Sequence, residues 1–440
     1  MTPRQLKQVR QLLWVYFWLL IFEGALRRWF LTGLSEPLLL VRDPVALMAL
    51  IQSWPILNQQ PWRSWLQPLL WIGPLAVLLA ISVGHGDIPT ALYGGRILIL
   101  QLPMIFVYGA VFNRDDVIKM AWMILWISIP MTVLIAMQSS LPETHILNVG
   151  PGGVGTSVFD GAGGRFRPPG TFTFITGVAS FFTLAAASLF SILYGTALRS
   201  RGRLFCVAVG VALMVALPVS ISRDLFAGYI VVIGITVVAL IRSRVPTGRL
   251  VSGLLAVAVA IGLATTVPAF QETSDAFLAR WEQAANADRE ADGDFSIASQ
   301  QFESRVLGEV TKPLSRLGTV SLTGYGIGAG SNVGAQRLTG GLTFLLGEGS
   351  WEVSLGELGL PLGLAFLLWR LCLALWIFQV ALKSARHGNR VPLIFAGAAF
   401  LDVLIGQVSQ PTGLGFIVVS AGLCLAACNP GPSARPAVPT

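Results

Sequence analysis

The residues best suited to chemistry in this sequence are arginines that lie beside residues which fix the backbone. Arg165 and Arg167 precede Pro168, Pro169 and Gly170. Proline excludes helix at and just before its own position, so both guanidinium groups are held in an extended segment. A planar guanidinium group binds phosphate or carboxylate through two parallel hydrogen bonds. The segment therefore predicts an anion-binding turn; the alternative is a surface turn whose arginines reach lipid head groups.

Arg223 lies in Ser222-Arg223-Asp224, where two apolar runs almost meet. The connection is too short for a solvated loop, and we therefore predict that Arg223 occupies a crevice between two helices. Phosphate binding is the functional interpretation of this position. An ion pair with Asp224 or Asp43 is the structural alternative.

Three glutamates lie near the start of the apolar run at 351–381. Glu348 and Glu352 are four residues apart and would share one helix face, and Glu357 follows one turn and one residue further along, near the membrane boundary. A carboxylate there is costly unless it is paired or catalytic. Glu348 and Glu357 are therefore candidates for a general base that accepts a hydroxyl proton. For Glu357 the alternative is an ion pair with an arginine of a span.

From Gly324 onward, glycine alternates with other residues around Tyr325. Glycine permits positive φ and close backbone approach, so the amides of such a loop can converge on an anion. The run lacks the lysine of a Walker loop and the preceding strand of a dinucleotide fingerprint. A flexible linker is the alternative. We interpret Glu290, Asp292 and Asp294 as a solvated turn rather than a divalent-ion site.

These residues must be positioned by membrane-spanning helices, because the composition excludes a water-soluble fold. Hydrophobic residues make up 54% of the 440 residues and charged residues only 12%, against roughly 25% charged in soluble domains. A span needs about 20 mostly apolar residues. We predict an all-α polytopic membrane protein with about twelve transmembrane helices, at 11–30, 37–57, 66–84, 91–112, 117–137, 172–196, 204–221, 224–242, 250–270, 351–381, 391–408 and 411–428.

Positive charge supports this topology and gives it a direction. With a cytoplasmic N-terminus, the short connections that are densely positive all fall inside. They contain Arg63, Arg114, Lys119, Arg199, Arg201, Arg203, Arg242, Arg244, Arg249, Lys383, Arg386 and Arg390. Both termini are then predicted to be cytoplasmic, and the net charge of +8 does not indicate nucleic-acid binding.

Two predicted external segments are long. Residues 138–171 form a loop rich in Gly and Pro, whereas 271–350 is too polar to span and has amphipathic patterns at 275–286 and 297–316. We expect these helices to lie on the membrane face as a cap. The predicted organisation is nine helices in 1–270, the capping loop 271–350, three helices in 351–428 and a disordered tail at 429–440.

Arginine is in excess on the predicted outer side, against the usual charge rule. Each arginine in mid-span costs about 2.5–3.5 kcal/mol on insertion. An outer pocket lined by arginines suits an anion attached to something apolar, such as a lipid diphosphate; the alternative is a set of ion pairs with local carboxylates. The arginines are Arg27, Arg28, Arg42, Arg96, Arg165, Arg167, Arg223, Arg280, Arg289, Arg305, Arg316 and Arg337.

The order of these motifs resembles the O-antigen ligase/polymerase family, membrane glycosyltransferases of the GT-C type that use undecaprenyl-diphosphate-linked sugars. The resemblance covers about residues 165–405. It consists of Arg-x-Arg-Pro-x-Gly before a span, Ser-Arg at a tight external connection, a long external loop, Gly-Tyr-Gly-x-Gly, and Glu-x-Gly-x-x-x-Gly at the start of a span. Segments 22–29 and 41–44 also resemble exopolysaccharide-locus members of the family.

The resemblance implies roles for individual residues. The donor diphosphate would be held by Arg165, Arg167 and Arg223, with further contacts from Arg305, Tyr325, Gly326 and Gly328. Ligases of the family carry a histidine shortly before the glutamate that enters the following span, and this chain has Glu348 there. That departure favours polymerisation over ligation. The resemblance also implies no cofactor or metal, the bacterial inner membrane, and a flippase and a chain-length regulator as partners.

The predicted function is that of a polysaccharide polymerase at the periplasmic face. An acceptor hydroxyl of a lipid-linked repeat would attack the anomeric carbon of the donor glycan, and arginines, with Arg223 foremost, would stabilise the departing undecaprenyl diphosphate. Ligation of the glycan to lipid A-core or another acceptor is the first alternative. A lipid-linked oligosaccharide transporter is the second, although the sequence shows neither the internal repeats nor the discontinuous helices that are common in transporters.

Overall fold

A computed structural model describes residues 1–151, 167–243, 308–315, 317–341, 346–347 and 349–430. Within these ranges the regular structure is helical and contains no strand. We label the α-helices α1 (Pro3–Ala25), α2 (Asp43–Leu57), α3 (Trp62–Ser82), α4 (Ile88–Arg96), α5 (Met104–Val111), α6 (Arg114–Ser140), α7 (Ile175–Gly195), α8 (Ser200–Ser220), α9 (Arg223–Arg242), α10 (Gly308–Ser315), α11 (Asn332–Thr339), α12 (Ser350–Arg386), α13 (Val391–Ile405) and α14 (Pro411–Ala426).

Length and hydropathy confirm a polytopic helical membrane protein. Nine helical stretches in the described ranges are long and apolar enough to cross a bilayer: Pro3–Phe30, Pro37–Leu57, Trp62–Ser82, Ile88–Val111, Arg114–Ser140, Ile175–Gly195, Ser200–Ser220, Arg223–Arg242 and Ser350–Arg386. The apolar helices α13 and α14 are shorter, with 15 and 16 residues, and match two further predicted spans. The predicted span 250–270 lies outside the described residues, so a total of twelve stays a prediction.

Hydrogen bonds group the helix ends into two faces of the bundle. At one face, which we call the terminal end, Arg10 Nε donates to Val111 O (3.4 Å) and the Arg114 amide donates to Asn429 O (3.1 Å). Residues near both chain termini therefore lie on one face; the prediction that this face is cytoplasmic stays a prediction. The opposite face, which we call the loop end, carries the connections 26–43, 83–88 and 221–222, together with residues 141–151 and 167–174.

The centre of the bundle is formed by α13 and α14, which pack against α5, α7 and α9. Every residue of α14 from Leu414 to Ala426 is buried. In a bilayer, helices associate mainly through close packing, and small residues at the interfaces permit it. A Cβ atom on Gly422 of α14 would lie 2.5 Å from Tyr108 Cβ of α5, so the side-chain-free surface of Gly422 brings the two helices together.

Helix α12 is broken and folds back on itself. Gly359 has φ 73° and ψ 175°, and Arg370 Nη1 donates to Ser350 Oγ at 2.8 Å. Twenty residues of straight helix would place these two residues about 30 Å apart. The N-terminal arm (350–358) therefore lies back along the C-terminal arm (360–386). The predicted span 351–381 is wrong at its start, because only the C-terminal arm continues toward the terminal end.

The loop before α12 binds the backbone groups that the break would leave without helical partners. The Leu360 amide donates to Ser321 O (3.0 Å), and the Tyr325 amide donates to Gly356 O (2.7 Å). Unpaired backbone groups are costly in an apolar environment. The loop therefore completes the hydrogen bonding of the broken helix, and α12 in turn fixes the position of the loop.

Arg370 fastens the tip of the N-terminal arm to the centre of the bundle. Its side chain is 1% exposed; Nε donates to Val403 O (2.8 Å) and Nη2 donates to Gly406 O (2.7 Å). Ser350 Oγ, which accepts from Arg370, donates to Gly406 O in turn (2.8 Å). This buried arginine lies in an apolar run, and its role was not predicted from the sequence.

Candidate functional site

The turn that follows Arg167 is held firmly at the loop end. Gly170 has φ 63°, its amide donates to Gln138 Oε1 (2.8 Å), and its carbonyl accepts from Arg28 Nη1 (3.0 Å). Pro168 and Pro169 are described and Arg165 lies outside the described residues. Arg167 is half-buried and takes part in interactions within the protein. The prediction of a backbone-fixed turn beside an arginine is therefore confirmed for the Arg167 half of the motif.

Arg28 has a structural part at this end. Its side chain is 1% exposed and its guanidinium donates to four carbonyl oxygens, those of Leu147 (2.9 Å), Val149 (2.7 Å), Gly170 (3.0 Å) and Phe172 (3.0 Å). These carbonyls belong to the two ends of the connection between α6 and α7. Arg28 therefore joins the beginning and the end of that connection through four hydrogen bonds within the protein.

Other arginines of the outer set also have internal partners. Arg42 Nε contacts Glu23 Oε2 (3.0 Å), Arg96 Nη1 contacts Asp43 Oδ1 (2.8 Å), and Arg27 Nη1 lies 3.7 Å from Glu23 Oε1. The structural alternative is confirmed for these arginines, and a single anion pocket built from the whole outer set is not supported. Asp43, which we had considered as an ion-pair partner of Arg223, pairs with Arg96 instead.

Arg223 is the first residue of α9, directly after a sharp reversal of the chain. Ile221 adopts a left-handed conformation (φ 47°, ψ 37°) as the C-cap of α8, and Ser222 Oγ accepts from the Leu225 amide as the N-cap of α9. The connection thus comprises two residues, as its sequence predicted. Arg223 is half-buried, takes part in interactions within the protein, and opens a helix that packs against α7 and α13. A helix N-terminus adds a favourable field for an anion.

The glycine loop packs against protein backbone on two sides. Gly324, Gly326 and Gly328 all have positive φ, which L-residues with side chains rarely adopt. The amide of Gly326 donates to Glu357 O (3.0 Å), and a Cβ atom on Gly328 would collide with Thr90 O. The loop is therefore an ordered spacer rather than a flexible linker. The amide of Gly326, like that of Tyr325, is occupied by a helix carbonyl and does not point toward an anion.

The other side of the glycine loop contacts the connection between α3 and α4. The His85 amide donates to Tyr325 O (3.0 Å), and the Asp87 amide donates to His85 Nδ1 (3.0 Å). Since Nδ1 accepts, the neutral ring carries its hydrogen on Nε2, which lies 3.2 Å from Ile327 O. His85 thus ties the loop to the first half of the chain, a contact that its isolated position in the sequence did not reveal.

Glu357 lies in the N-terminal arm of α12 and faces the glycine loop. Its side chain is 8% exposed, and Oε1 accepts from the Gly330 amide (2.7 Å). Because the chain reverses at Gly359, Glu357 lies nearer to the outer bend of α12 than Glu352 does, whereas we had expected it to lie deeper. Its carboxylate holds the loop to the arm, which is a structural role at this position.

A cavity of about 350 Å³ lies between α10, the loop 320–325 and the N-terminal arm of α12. Its walls include the carboxylate-bearing residue Glu352, Ser321, and Tyr325, which is 49% exposed. The rest is mainly apolar, with Pro313, Val320, Leu346 and Leu355. We predicted from the sequence that Glu352 shares a helix face with Glu348. That Glu352 lines a cavity together with Tyr325 was not predicted.

A salt bridge on the outer surface connects α11 to the start of α4. Arg337 Nε lies 3.0 Å from Asp87 Oδ2, and Asp87 Oδ2 also accepts from the Thr90 amide (3.0 Å). These hydrogen bonds, that from Arg337 first, lower the pKa of Asp87 below its ordinary value. Arg337 therefore also has an internal partner.

The predicted site residues fall into three groups. Arg167, Arg223, Tyr325 and Glu357 are described and all lie at the loop end. Gly326 and Gly328 shape the loop that carries Tyr325. Arg165, Arg305 and Glu348 lie outside the described residues, so their predicted roles stay predictions. Among the residues that the structure describes, no group of three or more His, Cys, Asp or Glu could hold a metal ion.

No protein-family model matches the chain, and no curated protein sequence matches it.

Proposed function

We propose that this chain is a membrane glycosyltransferase of the polysaccharide-polymerase type, which moves a glycan from undecaprenyl diphosphate to a hydroxyl of a second lipid-linked repeat. The observation that carries the proposal is the position of Arg167 and Arg223. Both are half-buried, Arg167 beside the turn at Gly170 and Arg223 directly after the two-residue connection before α9, at the same end of the bundle as a cavity lined in part by Glu352. The order of the motifs, which resembles the O-antigen ligase/polymerase family, supports the same function.

This reaction requires cationic donors near the leaving group, and Arg167 and Arg223 supply two guanidinium groups next to backbone that is held in place. When the bond between the anomeric carbon and the diphosphate breaks, negative charge accumulates on the leaving diphosphate. Preorganised donors stabilise such charge strongly where water is scarce, because they need no rearrangement during the reaction. The nine apolar stretches offer the prenyl chain a bilayer setting, so that only the diphosphate and sugars must reach the loop end.

The proposed reaction is a substitution at the anomeric carbon of the donor glycan. The acceptor oxygen forms a bond to that carbon and loses its proton to a carboxylate of the protein. The bond from the anomeric carbon to the diphosphate oxygen breaks, and its electron pair leaves with undecaprenyl diphosphate. The growing glycan thereby moves to the acceptor lipid. Donor binding by Arg167 and Arg223, with Arg165 and Arg305 as further predicted ligands, orients the leaving group.

The proposal includes an orientation in the bacterial inner membrane. Dense positive charge lies in connections of the terminal end, such as 199–203 and 383–390, so this end would face the cytoplasm. The loop end would then face the periplasm, where lipid-linked repeats are joined. A flippase that delivers these repeats and a regulator of chain length are the expected partners.

The test is chain growth in proteoliposomes that contain the purified protein and undecaprenyl-diphosphate-linked repeats. We expect Arg223→Ala to lower the initial rate of polymer formation about 10²–10³-fold, the usual effect of removing one preorganised donor to developing charge. Arg223→Lys should recover only part of the rate, because an ammonium group keeps the charge but not the paired hydrogen bonds. Arg167→Ala should act in the same direction.

Arg242→Ala is the matched control, since Arg242 ends the same helix that Arg223 begins and lies exposed at the terminal end. Size-exclusion profiles of the variants in detergent report whether each one is folded. If folded Arg223→Ala polymerises at the rate of Arg242→Ala, the donor assignment is wrong. If the unaltered protein forms no polymer with any repeat supplied, the proposed function is wrong.

A transporter of lipid-linked oligosaccharides is a second candidate, and the break in α12 favours it. Transporters often place broken helices at their substrate sites, and α12 is interrupted at Gly359, a break that we had not predicted. Fluorescent lipid-linked glycan on the two leaflets of the same proteoliposomes separates the candidates: a transporter moves the label across the bilayer without lengthening it. Ligation differs in product, because the glycan appears on a new acceptor at unchanged length.

A further inference from the structure

The cavity beside the N-terminal arm of α12 has the size and walls of a small-molecule site. Its volume of about 350 Å³ lies at the lower end of the range of about 300–1,000 Å³ for ligand pockets. Such pockets combine mostly apolar walls with a few polar groups that fix orientation. Here the apolar part comes from Pro313, Val320 and Leu355, and the polar part from Ser321 and Glu352.

The faces of the N-terminal arm separate two carboxylates with different tasks. Glu352 and Gly356 are one turn apart and both line the cavity. Glu357 does not line the cavity, and its Oε1 accepts a hydrogen bond from the Gly330 amide of the glycine loop (2.7 Å). Of the two glutamates, Glu352 is the one that lines the cavity.

Hydrogen bonds hold the walls of the cavity in place relative to one another. The Tyr325 amide donates to Gly356 O (2.7 Å), which joins the loop to the arm. The Ser350 amide donates to Glu309 Oε2 (3.1 Å), which joins the arm to α10. Preorganised walls reduce the entropy lost on binding and keep reacting groups in register.

The side chains select a ligand that has both apolar faces and hydroxyl groups. Tyr325 is 49% exposed and lies in the cavity wall together with the acidic Glu352. An aromatic ring packs against the C–H face of a sugar, while a carboxylate and the Ser321 hydroxyl accept and donate hydrogen bonds at the sugar rim. A lipid diphosphate is disfavoured here, since the carboxylate would repel it.

We propose that this cavity binds the acceptor sugar and that Glu352 takes the proton of its attacking hydroxyl, an inference that rests on the proposed glycosyl transfer. The O–H bond of the acceptor breaks with its proton on Glu352, the acceptor oxygen bonds to the anomeric carbon, and the electron pair of the broken donor bond leaves with the diphosphate. Tyr325 positions the acceptor ring. Glu357 positions the loop that carries Tyr325 and does not touch the sugar.

The test separates binding from chemistry. In the proteoliposome assay, Glu352→Gln should lower the kcat of chain growth at least 10²-fold, the lower limit for loss of a general base, with little change in the KM for the acceptor. Tyr325→Ala should instead raise that KM at least about tenfold while kcat changes less, since one lost contact of about 1.4 kcal/mol is a tenfold loss of affinity. Glu352→Asp should restore part of the rate.

Binding is measured independently with the methyl glycosides of glucose, galactose, mannose and N-acetylglucosamine as probes, followed by tryptophan fluorescence. Saturable binding of at least one of them, lost in Tyr325→Ala, supports the assignment. Chain growth by Glu352→Gln within threefold of the unaltered protein overturns the role of Glu352, even where Arg223→Ala abolishes growth. If none of the four glycosides binds while chain growth proceeds, the cavity is not the acceptor site.

Discussion

Replacement of Arg28 tests whether the loop end is built on arginine-to-carbonyl bonds. Arg28 donates four hydrogen bonds, to Leu147 O, Val149 O, Gly170 O and Phe172 O. A hydrogen bond contributes about 0.6 kcal/mol on average in a membrane protein and about 1.5 kcal/mol at the lower end for a bond that involves a charged group in water. Four such bonds give about 2–6 kcal/mol for Arg28→Ala.

The structure also shows why the loss should not exceed this range. Gln138 Nε2 donates to Leu147 O (2.8 Å) and to Gly170 O (3.1 Å) as well, so these two carbonyls keep a donor. The stability of Arg28→Lys should lie between those of the unaltered protein and Arg28→Ala. Lysine keeps the positive charge, but its ammonium group cannot donate to four carbonyls of two segments as the planar guanidinium group does.

The assay is steric-trapping unfolding in bicelles, which gives the free energy of unfolding of a membrane protein directly. Arg4→Ala is the control, since Arg4 is exposed at the terminal end and surface substitutions usually change stability by less than about 0.5 kcal/mol. The reasoning is refuted if Arg28→Ala loses no more than the Arg4→Ala control, or if Arg28→Lys is as stable as the unaltered protein.

Two further predictions concern the break in α12 and the salt bridge between Asp87 and Arg337 at the loop end. Gly359→Ala should detach the N-terminal arm of α12, because a Cβ atom there would collide with Leu322 O and a side chain at this φ and ψ costs of order 1–3 kcal/mol. The control is Gly341→Ala, whose Cβ atom meets nothing within 4 Å and which should leave the free energy of unfolding unchanged in the same assay. Equal stability of the two variants would contradict the break at Gly359. Because Arg337 lowers the pKa of Asp87, their pairing should persist at neutral pH and weaken only as pH falls below the ordinary carboxyl value of 3.8. A spin label at Gln336 of α11 should therefore stay immobile from pH 8 to pH 5, become mobile in stronger acid, and be mobile throughout in Arg337→Met; a transition near pH 6 would contradict this assignment.

Membrane topology was accessible from the sequence because bilayer thickness imposes it on every span separately. The predicted span 37–57 coincides with Pro37–Leu57, and 172–196 lies within three residues of Ile175–Gly195. No partner is needed to recognise such a segment, since length and apolarity suffice. The proline-fixed turn and the two-residue connection before Arg223 were accessible for a similar reason, because both depend on neighbouring residues only.

The partners of charged side chains were not accessible, since they come from distant parts of the chain. Arg28 finds its carbonyls more than a hundred residues away, and Arg370 reaches Ser350 only because Gly359 reverses the chain. A straight helix would have put Glu357 deeper than Glu352, and the break inverts that order. The one local sign of the break is Gly359 two residues before Pro361, which is common in continuous membrane helices as well.

The way the glycine loop is fastened decides how this protein can be modified by evolution or by design. One side of the loop is bound by His85, from the first hundred residues, and the other by Gly356 and Glu357, from the last hundred. A glycine loop exchanged for that of another protein would lose both sets of contacts. Recombination that replaces the loop must therefore transplant residues 83–94 and 350–360 along with it, because the loop does not keep its position without these two partner segments.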